Sequence, residues 1–269
     1  GSGVVVEVAP GSWGSADLRD IQVVLDSVAN ELRPLVARPT QGPINIRVIP
    51  RGTAPRVLYE RGPDGEYVVQ LTARDERWFQ YAYQFSHELC HILSNFDHKE
   101  RQGETVATGN QWFEESLCET ASLFTLRRMA VSWAEHPPGR KWIGYGKVFG
   151  SYADHLLAES HRRLPANQTL SQWYAENQPA LHDNPYLREK NELVATMLLP
   201  LFEKDPSMWQ TIAYLNANPA SAGKSFSEYL ADWHGACPTG TQEHLGQAMS
   251  LFGTGSGPAA PAWLARLGK

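Results

Sequence analysis

Phe85-Ser86-His87-Glu88-Leu89-Cys90-His91-Ile92-Leu93 carries two histidines four residues apart with a glutamate directly after the first. On a helix, residues four apart lie on one face, one turn from each other. Two imidazoles so placed can both reach one zinc ion at ~2.0–2.1 Å. Glu88 is too close in sequence to share their ligand position, but it can take a proton from a water activated by that ion. The surroundings predict the helix. Trp78, Ala82, Phe85, Leu89 and Ile92 recur at steps of four, three, four and three, an apolar stripe. His87 and His91 fall roughly opposite it, alongside Glu76, Gln80 and Gln84. Thr72 and Asp75 resemble a capping box ahead of it, with Asp in place of the usual Glu or Gln. The competing interpretation of the pair is two histidines on a water-facing surface.

Downstream, Gln111-Trp112-Phe113-Glu114-Glu115-Ser116-Leu117-Cys118-Glu119 predicts a second helix, with Asn110 as its N-cap. Phe113, Leu117 and Phe124 form its apolar stripe. Glu115 and Glu119, one turn apart, point roughly the other way. A catalytic zinc takes three protein ligands and keeps an open fourth position. One of these carboxylates could be the third ligand, and the other could accept a hydrogen bond from a ligating histidine and fix its tautomer.

His87-Glu88-x-x-His91 followed by Trp112-Phe113-Glu114-Glu115-Ser116 resembles the gluzincin metallopeptidases, above all the M1-type and related peptidase-MA proteins. The resemblance covers about residues 57–130. It implies a zincin-like α+β fold: a small mixed or antiparallel sheet, a helix bearing the two histidines, and a mostly helical C-terminal part. It also implies one zinc per chain, held by His87, His91 and Glu115, since Trp-x-x-Glu maps onto Trp112 and Glu115. Glu88 becomes the general base, and Glu119 falls where thermolysin-like gluzincins place an acid that orients a ligand. The implied activity is hydrolysis of peptide or protein substrates. The alternative from another class is a zinc-binding protein of this fold that serves as a non-catalytic binding module.

Peptide hydrolysis also needs a donor for the tetrahedral oxyanion. M1-type enzymes use a tyrosine at a helix start, and Tyr186 in Asn184-Pro185-Tyr186-Leu187-Arg188 is partly similar; Asn184-Pro185 itself reads as an N-cap followed by proline at the first helical position. The lysine and glycine of that family pattern do not align. His182 is the rival by analogy with thermolysin-like enzymes, and Tyr145 and Tyr152 remain open. The Gly-x-Met-Glu-Asn segment of M1 exopeptidases has no counterpart before His87, which favours cleavage within chains.

The 269 residues are 42% hydrophobic and 20% charged, with 24 basic and 29 acidic residues for a net charge of −5. That composition is ordinary for a globular protein and argues against a general nucleic-acid binder. No apolar run reaches transmembrane length. Gly1-Ser2-Gly3 resembles an expression remnant. Because many hydrolases of this type are exported, a secreted or periplasmic location with its leader removed is the expectation, and a cytoplasmic one the alternative. An odd count of three cysteines predicts no disulfide framework. Cys90 and Cys118 read as buried thiols, with a bridge between them as the alternative.

Elsewhere the patterns predict a strand or arm over Val4–Val8, a helix over Asp17–Val36 with its end blurred by Pro34 and Pro39, and an alternating strand over Ile44–Ile49. Gly62-Pro63-Asp64-Gly65 predicts a hairpin turn between Arg56–Tyr59 and Glu66–Leu71. One of these strands is, by resemblance, either a substrate-pairing edge or an ordinary sheet edge. His98, beside Asp97 and Lys99 in a polar loop, reads as solvated. Pro137-Pro138-Gly139 suggests a boundary between a catalytic part (1–136) and a helical part (137–269). In the latter, helices are expected over Ser151–Arg163, Leu170–Glu176, Met208–Leu215 and Phe226–Trp233, with a loose Gly253–Pro261 tail and no second metal cluster.

Overall fold

The computed structural model describes residues 3–37 and 42–253. Its contacts divide the chain into two compact units that alternate along the sequence: Gly1–Ile92 with Ala121–Leu156, and Leu93–Thr120 with Leu157–Lys269. The expected boundary at Pro137 falls inside the first unit, because the segment beyond it folds back onto the preceding helix through aromatic packing.

The first unit holds a four-stranded mixed sheet. Strands β1 (Val4–Val8), β2 (Ile44–Pro50), β3 (Arg56–Val57) and β4 (Tyr67–Leu71) lie in the order β1-β2-β4-β3. β1–β2 and β2–β4 pair in parallel, and β3 pairs antiparallel with β4. A parallel pair needs a crossover, and α1 (Leu18–Leu32) provides it between β1 and β2. Its buried Ile21, Val24, Leu25, Val28 and Leu32 are the stripe the sequence shows, and the Asp17 side chain caps it from Arg19 N. The helix stops at Leu32, short of Val36, because Arg33–Leu35 tightens into a 3-10 turn at Pro34; Pro39 lies outside the described residues. In β2, Ile44, Ile46 and Val48 are buried while Asn45 and Arg47 face out, so one face is covered as the alternation predicts. The Gly62–Gly65 turn closes the hairpin, with Gly62 N on Glu66 O at 2.8 Å and Gly65 at φ +78°, a region costly for residues bearing a Cβ.

α2 (Trp78–Leu93) follows β4. The predicted capping box ahead of it does not form. Asp75 sits at φ +54° and its carboxylate accepts from Ser15 N at 2.9 Å, while Thr72 Oγ1 accepts from Gln84 Nε2 at 2.7 Å. α3 (Gln111–Glu135) is one continuous helix; residues 111–120 count with the second unit and residues 121–135 with the first. α4 (Gly146–Leu157) starts and ends earlier than the expected Ser151–Arg163, and Ser160–Arg162 is a separate 3-10 turn. In the first unit, Trp133 of α3 packs edge-on against Trp142 at 5.0 Å and Phe149 at 4.9 Å.

The second unit is helical apart from a two-stranded hairpin, β5 (Arg101–Gln102) with β6 (Thr105–Val106). α5 (Leu170–Asp183) opens on a Thr169/Gln172 capping box and runs past the expected Glu176. Asn184 is its C-cap rather than the start of the next helix. The Asn184 Oδ1 accepts from Tyr186 N at 3.0 Å, a local turn that delays α6 to Arg188–Lys204. Pro206–Tyr214 is a 3-10 run where a short helix was expected. α7 (Phe226–Ala236) matches its expectation, and α8 (Thr239–Leu251), glycine-containing and weakly patterned, is additional. The predicted tail beyond Gly253 lies outside the described residues. Among the described residues, no helix is long and apolar enough to cross a membrane.

Candidate functional site

In the first unit, α2 is fixed by both of its faces. Trp78, Ala82, Phe85, Leu89 and Ile92 are all buried, as the stripe predicts. On the opposite face Gln84 and His91 are buried, while Gln80 and His87 are half-buried. Gln84 turns inward, its Oε1 accepting from Thr72 N and Ala73 N, each at 3.0 Å, and so ties the end of β4 to the helix. Ser122 Oγ of α3 donates to Tyr83 O at 2.7 Å. His87 and His91 occupy adjoining turns with ring centroids 5.0 Å apart and planes at 65°. His91 is 6% exposed and Glu88 only 3%, while His87 is half-buried. The alternative of two surface histidines does not describe this helix.

In the second unit, the start of α3 is anchored by aromatic packing. Trp112 stacks on Tyr174 at 5.5 Å and 25°, and lies 4.9 Å from Phe226. Asn110 does not cap the helix with its side chain; its amide instead donates to Lys224 O at 2.9 Å. Glu114 is buried, Glu115 half-buried and Glu119 buried. Gln111 Nε2 donates to Glu115 Oε1 at 3.1 Å and to Glu114 Oε2 at 3.3 Å. Lys99, on which the sequence carried no particular expectation, is buried, with Nζ 3.0 Å from Glu114 Oε1 and donating to Gln111 Oε1. Its neighbour His98 is exposed, as expected.

Glu119 accepts from Arg162 Nη2 at 3.0 Å. That guanidinium, wholly buried, also donates to Glu192 Oε2 at 2.6 Å and Glu159 Oε1 at 3.2 Å. Burial, reinforced by the Glu119 carboxylate, pushes the Glu192 carboxyl above its ordinary range against the pull of Arg162. Glu159, His161 and Glu192 bring metal-type donor atoms within 4.8 Å of one another. This cluster is not legible in the sequence, because Glu192 is some thirty residues from the other two. Arg162 already lies among these carboxylates, so an ion-pair network accounts for the cluster.

The two candidate oxyanion donors differ in setting. Tyr186 is 68% exposed on the turn before α6. His182 has Nε2 3.3 Å from the Tyr174 hydroxyl, and burial lowers its pKa. Tyr145 belongs to the Trp133–Trp142–Phe149 cluster, where burial pushes its hydroxyl up to about 12, and Tyr152 packs on Phe79 at 4.7 Å. Cys90, Cys118 and Cys237 are buried thiols outside any disulfide, so no Cys90–Cys118 bridge is formed.

Comparison with known proteins found no matching family model and no matching curated sequence.

Proposed function

We propose that the chain is a zinc-dependent hydrolase of peptide bonds in peptide or protein substrates. The observation that carries this reading is the paired imidazoles of His87 and His91, 5.0 Å apart on adjoining turns of α2, with Glu88 buried on the same helix. That donor set suits zinc, which favours imidazole nitrogen and carboxylate oxygen. On the sequence pattern, Glu115 is the third ligand, giving one zinc per chain. Zinc, when bound, acidifies water and polarises a carbonyl oxygen. Glu88 removes the proton from the attacking water and delivers it to the leaving amine. Glu119 accepts a hydrogen bond from a ligating histidine and holds its tautomer. Tyr186 or His182 donates to the developing oxyanion.

The test pairs metal content by mass spectrometry with cleavage of quenched peptides and denatured proteins. The wild type is expected to hold about one zinc and to cleave; Glu115→Ala loses or weakens the metal. Glu88→Gln keeps the metal and loses ~10²–10⁴-fold in turnover. A protein that takes up no zinc after its addition, or a Glu88→Gln variant with full turnover, overturns the proposal. Full zinc occupancy with a tight partner and no cleavage would instead mark a binding module.

A further inference from the structure

A neutral imidazole carries hydrogen on one nitrogen and a bare lone pair on the other, so the bond made by one nitrogen decides what the other can do. In the second unit, His182 makes one such bond. Its Nε2 lies 3.3 Å from the Tyr174 hydroxyl, and among the described residues its Nδ1 has no hydrogen-bond partner. The Tyr174 ring is packed against three other aromatic rings. It stacks on Trp112 at 5.5 Å, lies 5.1 Å from Phe226 and meets Phe252 edge-on at 5.7 Å. Its hydroxyl has His182 Nε2 as its sole hydrogen-bond partner among the described residues. Burial pushes that phenol above its ordinary range, so it keeps a proton to donate. Burial also lowers the His182 pKa, so the imidazole is neutral and able to accept. The bond therefore runs from the Tyr174 O–H to Nε2, and the imidazole hydrogen stands on Nδ1. That nitrogen has space beside it. A Cβ at Gly109 would meet, within 4 Å, only His182 Nδ1 at 3.6 Å and Ala222 O at 4.0 Å. Tyr186 is placed differently: it is 68% exposed, where water competes for its hydroxyl. Donors fixed in advance and shielded from water stabilise a developing oxyanion best.

We propose that Tyr174 is a positioning residue for His182: its hydroxyl occupies Nε2, keeps the hydrogen on Nδ1, and so makes His182, rather than Tyr186, the oxyanion donor through Nδ1–H. This rests on the peptidase reading, in which His182 is one of two candidate donors. The pair is not legible in the sequence, because residues eight apart on a helix are about 12 Å apart along its axis.

The tautomer is read by nitrogen NMR of isotope-labelled, full-length protein at alkaline pH, where the two nitrogens of a neutral imidazole resonate far apart. His182→Phe assigns the signal among the nine histidines. Expected are hydrogen on Nδ1 in the wild type and a shift of hydrogen toward Nε2 in Tyr174→Phe, which keeps the aromatic packing. Turnover of quenched peptides gives the second readout. His182→Phe should lower kcat by ~10²–10³-fold, as for a lost oxyanion donor. Tyr174→Phe should lower kcat by ~2–10-fold at unchanged KM, the worth of one neutral hydrogen bond. It should cost nothing further in the His182→Phe background, because it acts through that residue. Circular dichroism checks the fold. Hydrogen on Nε2 in the wild type would overturn the proposal without recourse to any variant. So would an unchanged tautomer in folded Tyr174→Phe, or full turnover in His182→Phe, and each of these leaves the peptidase reading intact. A wild type that binds zinc but cleaves nothing would overturn that reading, and the donor role with it, whatever the tautomer.

Discussion

Replacing Lys99 by methionine withdraws the ammonium 3.0 Å from Glu114 Oε1, in a pair whose side chains are 4% and 1% exposed. Removing one partner of a buried ion pair costs about 3–5 kcal/mol, because the remaining charge is left in a poorly solvating interior. Glu114 keeps two neutral donors, Asn216 at 2.7 Å and Gln111 at 3.3 Å, which places the expected loss near the lower end, about 3 kcal/mol. That is a large part of the 5–15 kcal/mol by which domains are ordinarily stable. Glu114→Gln alone should cost a similar amount by stranding the lysine. The double variant Lys99→Met/Glu114→Gln removes both charges and keeps an acceptor for Asn216. Its loss should fall below the sum of the singles by roughly 1–3 kcal/mol. Urea unfolding followed by tryptophan fluorescence, with circular dichroism as a second probe, measures all three. A Lys99→Met loss under about 1 kcal/mol, or strict additivity in the double variant, would refute the assignment of a coupled buried pair.

Two further outcomes follow from single side chains. Burial lowers the His182 pKa below its ordinary 6.5, so the unfolded chain binds the proton more readily. The His182 contribution is therefore present above pH 6.5 and lost as pH falls through the lower folded pKa; the stability difference between wild type and His182→Gln should shrink over that fall, and a difference that is flat with pH would count against it. At Gly146, an added Cβ would lie 2.8 Å from Ala130 O and 3.1 Å from Ala134 N. Backbone cannot yield as a side-chain tip can, so Gly146→Ala should lower stability by about 1–3 kcal/mol despite the better helix propensity of alanine, measured as a fall in melting temperature. A neutral or raised melting temperature would show that α4 shifts freely on α3.

The sequence made legible what depends on local periodicity. The buried stripe of α2, the apolar face of α1, the covered face of β2 and the hairpin at Gly62–Gly65 all follow from spacing and turn chemistry. The juxtaposition of His87 and His91 on adjoining turns was legible for the same reason. What escaped was polar burial set by distant partners. Lys99 reads as a solvent lysine until Glu114 and Gln111 are folded over it, and Gln84 as a surface amide until the N–H groups of Thr72 and Ala73 need an acceptor. Arg162, in a short polar segment, gives no hint that three glutamates converge on it. Capping signals failed where side chains had competing uses: Asp75 serves Ser15, and Asn184 closes one helix rather than opening the next.

The alternation of the two units along the chain has a consequence for synthesis. Lys99 and Glu114 leave the ribosome before Asn216, which donates to Glu114 and lies 102 residues after it. At about 5–20 residues per second, that interval lasts roughly 5–20 s. During it, the beginning of α3 carries its aromatic residues and its acidic pair without the Tyr174, Phe226 and Asn216 side chains that complete their packing. Maturation of this region therefore waits for the segments around Tyr174, Asn216 and Phe226, and a ribosome stalled before Asn216 would hold a nascent chain whose α3 start is unfinished.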